Sequence, residues 1–184
     1  MVPGVITVFV LYEGDGPFSL IFVDENQGEM RSIESRLGPY NGERAHSVFD
    51  GDVGGLVPGP YTLDVEATGP WRMRLLQERA VSGQRPEITL ASSGDGGGSW
   101  LQLEDGEYTM TTNHTGTADF IVELFDSRGL LPYHIVKATG DHEGEARFTL
   151  GGGAPGENPQ AGIYAIGVLS EGDWSATITS NDAQ

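Results

Sequence analysis

No cysteine occurs among the 184 residues, so neither a disulfide nor a thiolate-held zinc is available to this fold. Basic residues are scarce: ten Lys and Arg stand against twenty-seven Asp and Glu, for a net charge of −17. Both halves of the chain are acidic. With no basic face to neutralise phosphates, no nucleic-acid partner is expected. No run approaches the roughly 20 apolar residues of a membrane-spanning helix, so no membrane insertion is expected either. The opening Met1-Val2-Pro3-Gly4 has no basic n-region or small-residue cleavage site, so the expectation is either a cytoplasmic chain or an export signal outside these residues.

Catalytic signatures are missing too. His46, His114, His134 and His142 show no H-E-x-x-H or other two-ligand spacing. There is no G-x-S-x-G. The glycine clusters at Gly94–Gly98 and Gly151–Gly153 lead into no helical pattern that would cradle a phosphate. The chain is therefore expected to be non-enzymatic, with no cofactor.

What is present is short β-prone runs divided by Gly, Pro and Asp turns about every ten residues, the pattern of an antiparallel sandwich or jelly roll. The stretch from Gly59 to Leu75, G-P-Y-T-L-D-V-E-A-T-G-P-W-R-M-R-L, sets a Tyr strand, a Gly turn and a Trp strand in succession. The same order returns at Gly162, Tyr164, Ile166, Val168, Gly172, Trp174, Ala176 and Ile178. Upstream, Gly4, Thr7, Phe18, Asp24, Gly38 and Gly42 are echoed at Gly106, Thr109, Phe120, Asp126, Gly140 and Gly144. An internal duplication follows: two tandem all-β sandwich or jelly-roll-like domains. Alternation places Tyr61, Trp71, Tyr164 and Trp174 as core anchors.

The boundaries read as 1–92 for the first domain, 93–99 for a Gly/Ser-rich flexible linker, and 100–184 for the second domain. The copies are unequal. A strand at Trp100–Leu103 precedes Gly106, whereas only Met1-Val2-Pro3 precedes Gly4. The first sandwich thus lacks a strand, and an incomplete sandwich exposes unpaired backbone and an apolar slot. Residues 87–91, with Ile88 and Leu90 pointing inward, are expected to fill it in cis. The alternative is a strand from a neighbouring molecule, which would make this a self-assembling subunit with an open edge.

Carboxylates supply a further candidate. Asp24, Glu25, Asn26 and Glu29, and separately Asp50 and Asp52, have the oxygen density of a calcium loop, although neither group completes the spacing of one. Tyr40, Trp100 and Tyr133 are candidate carbohydrate-stacking aromatics, and Asn113-His114-Thr115 is an N-x-T sequon.

The run A-D-F-I-V-E-L-F-D-S-R-G at Ala118–Gly129, the later A-G-I-Y-A-I-G-V at Ala161–Val168 and the closing Gly-Asp-Trp strand resemble bacterial pre-peptidase C-terminal domains. The first copy departs from that pattern, with Pro17-Phe18 where the second has Asp119-Phe120. The resemblance implies an extracellular or cell-surface, non-catalytic sandwich that accompanies secreted proteins. The expected role is binding or structural spacing, with strand-exchanged assembly as the alternative and a calcium- or carbohydrate-binding module as a further one.

Overall fold

The structure is a computed structural model that describes residues 1–49, 55–130, 132–152 and 159–181. Among these residues the regular elements are strands alone, paired antiparallel throughout the four sheets. The first six are β1 (Gly4–Tyr12), β2 (Pro17–Asp24), β3 (Met30–Leu37), β4 (Tyr40–Val48), β5 (Tyr61–Ala67) and β6 (Trp71–Leu76). They form two three-stranded sheets, β4–β1–β6 and β3–β2–β5. Alternation decides the core. Ile6, Val8, Val10 and Tyr12 of β1 face Phe18, Leu20 and Phe22 of β2 across the gap between the sheets, and all seven are buried.

The other eight are β7 (Ile88–Ser93), β8 (Gly96–Leu103), β9 (Gly106–Thr115), β10 (Asp119–Asp126), β11 (Tyr133–Thr139), β12 (His142–Leu150), β13 (Gly162–Leu169) and β14 (Asp173–Ser180). Their sheets are β12–β9–β14–β7 and β11–β10–β13–β8, so the six-strand plan recurs with one strand added to each sheet. The repeat holds to the single residue. Tyr12 lies opposite both Tyr40 and Trp71, and its counterpart His114 lies opposite His142 and Trp174. Asp24 faces Tyr61 as Asp126 faces Tyr164. A register shift falls after Leu20 and again after Val122. The turns between β3 and β4 and between β11 and β12 use Gly38 and Gly140, with φ of 86° and 83°, a conformation open to glycine and costly for other residues.

Two expectations are corrected. Residues 87–91 do not complete the first sandwich: β7 pairs with β14, setting Ile88 against Ile178 and Leu90 against Ala176 in the second. Nor is 93–99 a flexible linker. It is the turn and opening half of an arch in which β7 crosses to β8, the strand paired with β13. The connection between sandwiches is instead the stretch 77–87. The physical reason lies in the glycines. A Cβ at Gly96 would stand 2.6 Å from Trp174 Cζ2, and one at Gly97 would stand 2.8 Å from the Ile166 carbonyl oxygen. These positions need glycine for close approach, and composition alone reads them as slack.

The two sandwiches stack face to face. Val5 and Ala45, on the outward face of β1 and β4, pack against Phe125, Ala165 and the partly buried Trp100 of the β11–β10–β13–β8 sheet. The molecule is therefore four sheets deep. This contact falls on β4 and β1, with β4 meeting β8, β13 and β10.

Candidate interaction surface

The added arch β7–β8 closes one side of the second sandwich. Its inward side chains Ile88, Leu101 and Leu103 join the second core, and Trp174 Nε1 donates to the Gly94 carbonyl at the arch's bend, at 2.9 Å. In the first sandwich the corresponding side is open: among the described residues no strand pairs with the outer flank of β5 or of β6. Burial follows. Trp174 is 6% exposed, while Trp71 is 42% exposed. Ile166 is 1% exposed, while its counterpart Leu63 is 39% exposed. Tyr61, Val65, Met73 and Leu75 are only partly covered.

Of the four predicted core anchors, Tyr164 and Trp174 are buried, Tyr61 is half-covered with its hydroxyl donating to the Val57 carbonyl, and Trp71 is not an anchor at all. It leans on Phe18 with ring centroids 6.5 Å apart and turns its other face outward. The reason is the missing strand beside β6.

The outward-facing positions of these two edges carry opposite charge. On β5 they are Thr62, Asp64 and Glu66, and on β6 they are Arg72 and Arg74, all exposed. Arg74 lies over the Phe9 ring at 4.0 Å.

A polar latch joins the sandwiches. Asp95, at the bend of the β7–β8 arch, is buried; its Oδ2 accepts from Arg36 Nη2 at 3.0 Å and from the Tyr40 hydroxyl at 2.8 Å. Its Oδ1 accepts from the Ser170 amide at 2.8 Å. Arg36 also holds Glu34 through Nε at 2.9 Å and Glu171 through Nη1 at 3.0 Å. Burial opposes the Arg36 charge, but the carboxylates of Glu34 and Asp95 outweigh it and raise its pKa. Tyr40 is held neutral far above its ordinary range by burial and then by Asp95. On the far side of the seam, Ser47 Oγ donates to the Leu130 carbonyl at 2.7 Å. No local signal in the sequence marks Asp95, Arg36 or Tyr40 as one group.

Two clefts run along the seam. One, of about 190 Å³, is lined by Arg44, His46, Ser47, Glu123 and Phe125 among others. Burial, then the Arg44 charge, lowers the pKa of His46 to about 4, and its Nε2 is buried without a hydrogen bond. Glu123 is raised by burial against the pull of His134, whose Nδ1 lies 2.9 Å from its Oε1. The other cleft, of about 390 Å³, includes Phe9, Glu43, Asp95, Ser99 and Trp174. Burial raises Glu43 to about 7, only partly offset by Arg74. His46 and Ser47 are consecutive on β4 and point to opposite faces of its sheet, so they do not form a base–nucleophile pair.

Of the predicted calcium ligands, Asp24 and Glu29 line one small pocket with Arg31, Val57 and Tyr61, but each is already engaged. Asp24 Oδ1 accepts from the amides of Asn26 and Gln27 and so caps its own turn. Glu25 accepts from Thr62 Oγ1, and Glu29 pairs with Arg31. At the equivalent turn of the second copy, Arg128 grips both oxygens of Asp126. Asp50 and Asp52 lie outside the described residues. Among the described residues no three His, Cys, Asp or Glu side chains converge as a metal would require. Nor do Tyr40, Trp100 and Tyr133 form a platform: they belong to the first core, the seam and the second core respectively.

No family model and no curated protein matches this chain. Among solved structures, the naturally occurring empty particles of cowpea mosaic virus, its top component, align with 10% identity and a TM-score of 0.31, over 98% of this chain and 82% of that one. The empty virus-like particle of the same virus aligns at 10% identity and 0.31, over 98% and 80%. The infectious bursal disease virus Gx strain gives 9% and 0.18, over 100% and 53%. Similarity at these scores carries no functional argument.

Proposed function

We propose that this chain is a non-catalytic structural module that joins a protein partner by strand addition along the open side of its first sandwich. One observation carries the reading: the same side of the duplicated sandwich is closed by an arch, and its absence in the first leaves Trp71 and Leu63 about two-fifths exposed. Unpaired edges beside exposed apolar side chains are what natural sheets cover or protect. The Asp95 latch supports a spacer role, because it ties both sandwiches into one body that transmits the position of a partner. A location at or outside the cell surface belongs to this proposal through the resemblance to pre-peptidase C-terminal domains.

The test is to give the first sandwich its own arch. Gly4 corresponds to Gly106, so a copy of residues 88–105 replaces Met1–Pro3 in the full chain. Because the chain has no cysteine, Leu63→Cys supplies a unique thiol whose labelling rate reports exposure of that side. At high dilution, where any partner copy has dissociated, labelling is expected to be fast in the unmodified chain and slowed by about tenfold or more once the arch is present, as closed segments open more rarely. An unchanged labelling rate would refute the reading.

A further inference from the structure

From the topology and charge of β5 and β6 we infer that the occupant of the open side is the β5–β6 arch of a second copy of this chain, in a two-fold symmetric dimer. The inference rests on the strand-addition reading above and names its partner.

The second sandwich shows how such a slot is filled. Its arch enters with its first strand, β7, antiparallel to β14, and its second, β8, antiparallel to β13. The incoming element therefore crosses from one sheet to the other. The β5–β6 pair has that form. Only Thr68-Gly69-Pro70 separates the two strands, which lie in different sheets and run in opposite directions. Place a two-fold axis along the strands between two open sides. The partner's β5 then lies antiparallel beside β6, where β14 has β7. The partner's β6 lies antiparallel beside β5, where β13 has β8. Each copy closes the other, and the contact is self-complementary as a two-fold interface must be.

Charge selects this pairing over its rivals. Joining β6 to the partner's β5 sets Arg72 and Arg74 beside Asp64 and Glu66, twice in each dimer. Joining β5 to β5 or β6 to β6 would set acids against acids or arginines against arginines, which is destabilising across adjacent strands. The inward residues Leu63, Val65, Trp71 and Met73 would meet their symmetry mates and extend one core through both first sandwiches. The second sandwich packs chiefly on β4 and β1 rather than on β6.

Sedimentation velocity of the full chain, across about 1 to 300 μM, tests the inference with charge exchange as its specific readout. The expected species is a dimer that dissociates on dilution. Arg72→Glu with Arg74→Glu should weaken it by at least about tenfold, as should Asp64→Arg with Glu66→Arg, and the fourfold variant should recover the affinity. Unchanged circular dichroism and melting at low concentration show that each variant still folds. A chain that stays monomeric throughout overturns the inference, and so does a dimer indifferent to charge reversal or not rescued by the exchange. The two proposals fail separately. If the grafted arch shields Leu63→Cys while the unmodified chain remains monomeric, the open side stands and its partner is another protein. If the graft shields nothing, the open-side reading itself falls.

Discussion

Asp95 is flanked by Gly94 on one side and Gly96, Gly97 and Gly98 on the other, a context that reads as solvent-exposed linker. In the folded chain it is buried and receives three hydrogen bonds, from Arg36, Tyr40 and the Ser170 amide. Removing Asp95 leaves the Tyr40 hydroxyl and the Ser170 amide without that acceptor, while Arg36 keeps Glu34 and Glu171. A buried polar group left unsatisfied typically costs about 1–3 kcal/mol. Asp95→Ala should therefore lower stability in urea unfolding by an amount near that range, and Asp95→Asn, which keeps an acceptor, by less. A loss below about 0.5 kcal/mol would show that the latch is incidental.

Glu43 and His46 make a second residue-scale prediction, with opposed signs. Burial raises Glu43 from 4.5 to about 7, so between those values the folded chain holds a proton that the unfolded chain has released. That contribution to stability falls as pH rises. Burial lowers His46 from 6.5 to about 4, so between those values the unfolded chain binds a proton that the folded chain refuses. That contribution rises with pH. The two oppose each other over most of the same window. Unfolding free energies measured from about pH 4 to 7.5 should rise more steeply with pH for Glu43→Gln than for the unmodified chain, and fall more steeply for His46→Gln. Parallel curves for all three would contradict this.

At the scale of the element, the arch β7–β8 separates two otherwise equivalent sandwiches. Trp174 stands inside a closed side and Trp71 at an open one, although both lie within the first two residues of a strand after a Gly turn and face equivalent partners, His114 and Tyr12. Trp174→Ala should cost about 3–5 kcal/mol, the range for truncating a buried aromatic. Trp71→Ala, measured at low protein concentration, should cost less than about 1.5 kcal/mol, because much of the ring is already in water. Equal costs would mean that both sides are equally closed.

Much of this level was legible in the sequence. Gly, Tyr and Trp recur at two fixed offsets because each occupies a position its neighbours dictate, and the strand pairs confirm those offsets residue by residue. That β8 has no counterpart before Gly4 was legible as well, whereas the first copy's lack of a counterpart to β7 was not. Which sandwich owns residues 88–93 was not. Ile88 and Leu90 alternate as any half-buried strand does, and alternation specifies a face without specifying a partner. The latch was unreadable for a related reason: Arg36, Tyr40 and Asp95 are separated by up to 59 residues and meet only through the stacking of two sheets.

At the scale of the whole molecule, the described residues form four stacked sheets in which the second sandwich is closed by the β7–β8 arch and the corresponding side of the first is open. Among the described residues, the open side is the feature that most distinguishes this chain from a plain pair of sandwiches. Native-state hydrogen exchange on the full chain at micromolar or lower concentration tests that account most directly, since amides exchange through local opening in proportion to how weakly a segment is held. The amides of β5 and β6 are predicted to exchange much faster than those of β13 and β14, their structural counterparts, and to gain protection as concentration is raised. Equal protection of the two pairs in dilute solution would contradict the account.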